Sequence, residues 1–298
     1  GRRTGNFTRL SASYSQLVYL LHDYGKPDSA EHYIQEVKKL YEQADEAEKN
    51  AVGSNYYTVA ALYYKRTGAY QKAIPFFEKA IDLFITMKDQ QSTAGQILNL
   101  GNTYLAIGNY QKATEQHLKA LKLFEEIGNN RGISFCYQSL SNSFAQLRQY
   151  KEALQYANKS IHLKTLLNDR KGIGSAQSNL GDIYMGLGDH DKSIVHFTNS
   201  LHIAREVKSL PDELGCYLNI AKAYKGKKDL KQANEYYLEG KKLAKQLKDS
   251  SSLAAIETAL IALQNNDRAI TAAESKIKSN IEFLQERGDL NRHVSGLK

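Results

Sequence analysis

Tryptophan is absent from this chain of 298 residues, cysteine and methionine occur twice each, and proline three times. So little proline leaves long helices unobstructed. No apolar run reaches the roughly 20 residues that a membrane-spanning helix needs. No stretch alternates apolar and polar residues as a half-buried strand would. The formal net charge is +8, yet a dense basic tract is missing, because Lys and Arg are interspersed with Glu and Asp. That pattern reads as solvated helix faces, so no direct nucleic-acid partner is expected. Metal-binding clusters of the HExxH or Cys–His kind, the GxxxxGK[ST] phosphate loop and the GxSxG nucleophile turn are also missing. The expectation is therefore a non-enzyme with no catalytic residue, no metal and no cofactor. The chain starts at Gly1 and shows no signal peptide, so it reads as the remnant of a cleaved tag or the start of a trimmed fragment. Its compartment stays open, with the cytoplasm slightly favoured over the periplasm.

What the sequence does contain is a period. "NLGNTY" begins at Asn99, "SLSNSF" at Ser139, "NLGDIY" at Asn179 and "NIAKAY" at Asn219, each 40 residues after the last. In register, a small residue precedes an aromatic by three positions: Ala61 and Tyr64, Gly101 and Tyr104, Ser141 and Phe144, Gly181 and Tyr184, Ala221 and Tyr224. The small residue lets a neighbouring helix approach, and the aromatic fills the space between the two. A short turn follows, with glycine at 68, 108 and 188 but Arg148 and Lys228 in the other two units. Glycine suits a helix end because it accepts positive φ without penalty, so the two exceptions should be less well capped. A second apolar stripe then runs through Ala73, Phe77 and Ala80 and their counterparts at steps of three and four, which is one helix face. His117 falls where other units have Phe77 and Phe197, so it should be packed. Cys136 and Cys216 share one repeat position two periods apart, too far for a disulfide, and read as small buried packers.

The spacing thus predicts an all-α chain of about seven antiparallel helix pairs in a single domain over 1–287. The pairs fall at about 7–43, 48–88, 91–128, 131–168, 171–208 and 211–248, with a degenerate last pair at 251–287. "NND" at 265 stands where that last pair should turn, and 288–298 reads as a polar tail or linker stub. Each pair buries little alone, and stacking supplies a continuous core.

Leu100, Gly101, Tyr104, Gly108, Tyr110, Ala113 and Ala120 resemble the tetratricopeptide repeat signature, and Leu180, Gly181, Tyr184, Gly188 and Ser193 repeat it. The units resemble the long variety of this repeat, similar to kinesin light chains, the Leu-Gly-Asn repeat adaptor of cell polarity and peptide-sensing regulators of Gram-positive bacteria. In style they look most like the repeat regions of Bacteroidetes-type bacterial signalling proteins. The resemblance implies an α-α superhelix whose first helices line a concave groove. One inward row would then be Val59, Asn99, Ser139, Asn179 and Asn219, and a second Leu62, Asn102, Asn142, Asp182 and Lys222. Phe135 stands in a row one turn earlier, and Lys225 in another one turn later.

An asparagine offers both a donor and an acceptor, so a ladder of them can grip the backbone of an extended peptide. Asn99, Asn102, Asn142, Asn179 and Asn219 are the candidate peptide-binding residues. Asp182, Lys222 and Lys225 would add charge preference, and Phe135 an apolar contact. The competing reading is architectural: the asparagines bond to neighbouring repeats and fix the stacking. The expected function is a protein- or peptide-binding module, the sensor or regulatory region of a larger bacterial signalling protein. Two alternatives stand beside it. One is a scaffold acting through its convex face, or a homodimer formed on the last helix at about 268–287. The other is the regulatory domain of a transcription factor whose DNA-binding domain lies elsewhere.

Overall fold

The structure, a computed structural model, describes residues 6–295, and beyond Asn265 it describes only some of the side chains. It divides into two compact units, residues 1–179 and 180–298. The first unit holds α1 (Asn6–Asp23), α2 (Pro27–Gln43), α3 (Lys49–Arg66), α4 (Tyr70–Thr86), α5 (Gln90–Ala106), α6 (Tyr110–Glu126), α7 (Asn130–Gln146) and α8 (Tyr150–Leu166). The division falls within α9 (Arg170–Gly186). The second unit continues with α10 (His190–Glu206), α11 (Leu210–Gly226), α12 (Leu230–Leu247) and α13 (Ser250–Ser295). No strand occurs among the described residues.

The helices end where the local sequence tells them to. At the end of α5, Gly108 takes φ 79°, and the N–H of Asn109 reaches back to the carbonyl of Tyr104 at 2.9 Å. Asn109 then turns its side chain to the N–H of Lys112 and caps α6. Asp89, Asn129, Asp169 and Asp249 cap the next helix in the same way at the links between pairs. Such a cap satisfies a backbone donor that the first helical turn leaves without a partner. Arg148 and Lys228 keep the turn geometry despite their side chains, at φ 59° and 65°. The bond from Gln149 N–H to the Phe144 carbonyl still forms at 2.9 Å. Those two turns are closed, and their cost lies in left-handed backbone strain.

Packing explains the small residues. A Cβ added to Gly101 would stand 2.4 Å from the His117 ring, and one added to Gly181 would stand 2.5 Å from the Phe197 ring. The first helix of each of these pairs thus lies directly on a ring of the second. In the first unit, Val18, Ala30, Ile34, Val37, Val59 and Ala60 form one buried cluster. Ile97, Phe124, Ile133, Cys136 and Leu140 belong to another. In the second unit, Phe197, Ile220, Tyr237, Leu243, Ile256 and Leu260 are packed together. Both cysteines are free and buried. Burial pushes the Cys136 thiol up to about 12, so it is inert at neutral pH.

The end of the chain differs from the repeat pattern. α13 is one helix of 46 residues with no turn at "NND", and it takes up most of the expected polar tail, to Ser295. At about 1.5 Å per residue it is about 69 Å long. The seventh pair therefore has no second member. Its first turns dock on α12 through Ile256, Leu260 and Leu263. The alanine-rich run from 268 to 278 favours continuing the helix, and asparagine alone does not force a reversal.

Candidate functional site

Three first helices of the first unit bring the asparagine rows together. A cavity of about 610 Å³ is lined by Asn99 and Asn102 on α5, by Phe135, Ser139 and Asn142 on α7, and by Ser175 on α9. Their spacing of three or four residues puts each set on one helix face.

The amides are only partly occupied. Lys65 Nζ donates to Asn99 Oδ1 at 3.1 Å, and burial holds the Lys65 ammonium below its usual range. Asn102 Oδ1 accepts from Ser139 Oγ at 3.0 Å and from His117 Nε2 at 3.1 Å. This fixes the imidazole with its proton on Nε2, so Nδ1 accepts from the Ser143 hydroxyl at 3.0 Å. His117 is fully buried, and desolvation, with a smaller contribution from Lys65, lowers it to about 4. It is a neutral core residue, as its repeat position suggested.

Asn179 is placed differently from its neighbours. It is only 7% exposed. Its Oδ1 accepts from Ser141 Oγ at 2.6 Å, and its Nδ2 donates to Asn142 Oδ1. Both ends of the Asn179 amide are therefore engaged inside the stack. The bonds from Ser139 to Asn102 and from Asn179 to Asn142 each join residues 37 apart, one repeat to the next. Asn99, Asn102 and Asn142 remain half-buried on the cavity wall. Phe135 is 40% exposed there.

Asp182, Asn219, Lys222 and Lys225 belong to the second unit. Asp182 is exposed to solvent, yet protein atoms crowd around its carboxyl. That desolvation raises its carboxyl to about 6, against the pull of Lys222. Asn219 is half-buried, and Lys222 and Lys225 are exposed.

Residues that the sequence reading passed over complete the cavity. Lys164 reaches it from α8, and Arg131, Gln138 and Lys171 join its lining. Lys164 is 1% exposed and donates to Gln138 Oε1. Its signal was in the repeat: Phe84 and Phe124 hold the same position in the two preceding units. A second ring-packing position was also missed. Tyr156 stacks on Phe144 at 5.5 Å and 5°, His196 on Tyr184 at 5.2 Å and 2°, and Tyr236 on Tyr224 at 5.5 Å and 18°. No group of three or more metal-ligating side chains occurs among the described residues. No helix among them is long and apolar enough to cross a membrane.

Several solved structures share this fold. The crystal structure of a Rap protein complexed with competence and sporulation factor matches at 15% identity and TM-score 0.73, over 86% of this chain and 70% of that one. Aspartyl phosphate phosphatase F from Bacillus subtilis matches at 19% identity and TM-score 0.66, over 86% and 71%. NprR in complex with its cognate peptide NprX matches at 18% identity and TM-score 0.64, over 89% and 75%. At these identities the likeness is one of fold. No curated protein matches the chain. The tetratricopeptide repeat profile matches residues 9–86, 93–165 and 172–246, well over half of the sequence. With the helix pairs, the ring-on-glycine packing and that match together, the chain belongs to the tetratricopeptide repeat family.

Proposed function

We propose that the first unit binds an extended peptide segment along Asn99, Asn102, Phe135 and Asn142, as the non-catalytic sensor or regulatory region of a larger bacterial signalling protein. The observation that carries this reading is the set of half-buried amides on one cavity wall. An amide with unused hydrogen-bonding capacity can pair with a peptide backbone regardless of its sequence. The Rap structure, solved with competence and sporulation factor, and the NprR structure, solved with its cognate peptide, support the reading through their fold. The cavity contains no histidine, and its ionisable groups are Arg131, Asp169, Lys164 and Lys171, which suits binding better than proton transfer.

The test is a random heptapeptide display library selected on the intact chain, followed by fluorescence anisotropy on the selected peptides. Asn99→Ala combined with Phe135→Ala should weaken binding by about 10- to 100-fold, from one hydrogen bond and one ring contact. The melting temperature should change little, because both side chains are partly open to solvent. Unchanged affinity in the double variant would remove the cavity from the account.

A second reading, association through the last helix, draws on α13. That helix runs far past its contacts with α12, and Ile277 is 58% exposed on it. Sedimentation of the intact chain as a dimer that Ile277→Lys dissociates would support this reading. A monomer at all concentrations would exclude it.

A further inference from the structure

Resting on the reading of association through the last helix, we propose that two copies of the chain exchange the distal part of α13, so that residues 270–287 of each form the missing second helix of the other's seventh pair. The period carries across the place where the turn is absent. Ala273, Ile277 and Phe283 fall 40 residues after Ala233, Tyr237 and Leu243, which are the buried stripe of α12. The distal segment thus keeps the sequence pattern of a second helix. Because α13 is unbroken, that pattern is carried away from its own first helix. Ile277 lies 16 residues beyond Ile261, about 24 Å along the axis.

The two surfaces that would meet are both bare. In earlier units the residue at the position of Ile261 receives the second-helix residue 16 places on: Gly101 faces the His117 ring, Gly181 faces the Phe197 ring, and Ala221 shares a cluster with Tyr237. In the seventh unit both partners change together. Ile261 replaces the small residue, and Ile277 replaces the ring. Ile277 is smaller than the phenylalanine or tyrosine rings, which leaves room for the larger Ile261. Each of the two isoleucines is 58% exposed in the single chain. The next residues of α13, Leu263 and Gln264, border an open cavity of about 360 Å³ together with Leu230 and Asn234 of α12. One unit earlier the same place is filled, with Ile194 and Tyr224 packed on one cluster.

The hinge has the chemistry of a turn that opens. Arg268 stands where Gly108 and Gly188 take positive φ, and Ala269 stands where Asn109, Asp189 and Asp229 cap the second helix. The turn at Arg148 and Gln149 closes without either aid, so their lack does not forbid a reversal. An unbroken helix avoids both the left-handed residue and the missing cap. Exchange with a second copy then restores the packing that the open hinge gives up. A twofold axis sets the two α13 helices antiparallel, which is the sense in which the helices of each pair run. The occupant is a second copy because the segment that fits the bare face is the chain's own.

Sedimentation of the intact chain and its variants tests this. Ile261→Asp and Ile277→Lys should each weaken the dimer by about 100-fold, because the twofold axis buries the new charge in both contacts. Both side chains are exposed in the single chain, so neither change unfolds it. An equal mixture of the two variants should recover dimers, since each heterodimer has one Asp–Lys contact and one Ile–Ile contact. Arg268→Gly with Ala269→Asn copies the turn of Gly108 and Asn109 and should give a monomer whose seventh pair is closed. The double variant Ile261→Cys with Ile277→Cys, mildly oxidised, should form a covalent dimer linked 261 to 277, and the two native cysteines are buried. A dimer linked 277 to 277, a dimer indifferent to Ile261→Asp, or a mixture no better than either variant alone would overturn the exchange and leave association through α13 standing. A 261–277 bond within one chain, or a monomer at all concentrations, would overturn both.

Discussion

The helices of the first two pairs and those that follow them in the first unit share one scaffold but differ in the polar side chains they enclose. Around α1 to α4 the interior is mainly aromatic and aliphatic, with Ser11, Glu48 and Ser54 as its buried polar residues: Tyr41 stacks on Tyr56, Tyr64 leans on Phe76, and Phe77 is fully buried. From α5 to α9 an apolar core of the same kind is joined by a larger buried polar set that includes His117, Ser139, Ser141, Ser143, Lys164 and Asn179. Phe77 and His117 occupy the same repeat position. The period therefore sets the backbone, and the residues that break its apolar pattern show where polar atoms are being positioned. Buried polar networks are costly unless fully satisfied, and they specify one arrangement when they are.

The sharpest way to separate the two regions is to truncate that shared position. Phe77→Ala and His117→Ala should each cost about 3–5 kcal/mol at pH 7, the first by a cavity and the second by a cavity plus two orphaned partners. Their pH dependence should differ. The folded pKa of His117 is lowered to about 4, so the unfolded chain takes up its proton first as pH falls. Its contribution is complete above about 6.5 and is lost progressively down to about 4, by at most about 3 kcal/mol. Urea denaturation across that range should show a slope in the wild type that His117→Phe reduces and Phe77→Ala leaves in place. An unchanged slope in His117→Phe would place the titration elsewhere.

A smaller effect probes the link between repeats. Asn179→Ala deprives the Asn142 carbonyl oxygen of its donor and should cost about 1–3 kcal/mol. Thermal unfolding measures it, and a neutral result would argue against the asparagine as a repeat-to-repeat tie. Smaller still is Arg148→Gly, which relieves a side chain held at φ 59° and should stabilise by about 1 kcal/mol. A loss of stability would mean that Arg148 makes up for its strain elsewhere. Outside this comparison, Asp182 should titrate by NMR near 6, and Lys222→Met should move it higher because Lys222 holds it down. The sign for stability is opposite to that of His117: raising pH from about 4 to about 6 works slightly against the fold.

The helix pairs were legible because glycine, aromatic and small residues recur at positions with clear geometric jobs. The asparagine rows were legible too, but not their division of labour. Asn99 and Asn179 hold the same repeat position, and only the stack decides that one faces the cavity wall and the other is enclosed. Lys164 was visible as a break in an apolar column, yet its approach to the cavity from a second helix depends on tertiary packing. The end of the chain was misread at 265 because Arg148 and Lys228 show that a turn needs no glycine. Those turns form because a returning helix has a core to join, and α13 does not return at 265.

The most direct test follows the side-chain amide resonances of Asn99, Asn102, Asn142 and Asn179 while a library-selected peptide is added. The account predicts shifts at Asn99, Asn102 and Asn142, with Asn179 nearly still because both ends of its amide are held within the stack. Shifts confined to residues outside this cavity, with all four asparagines unmoved, would contradict it.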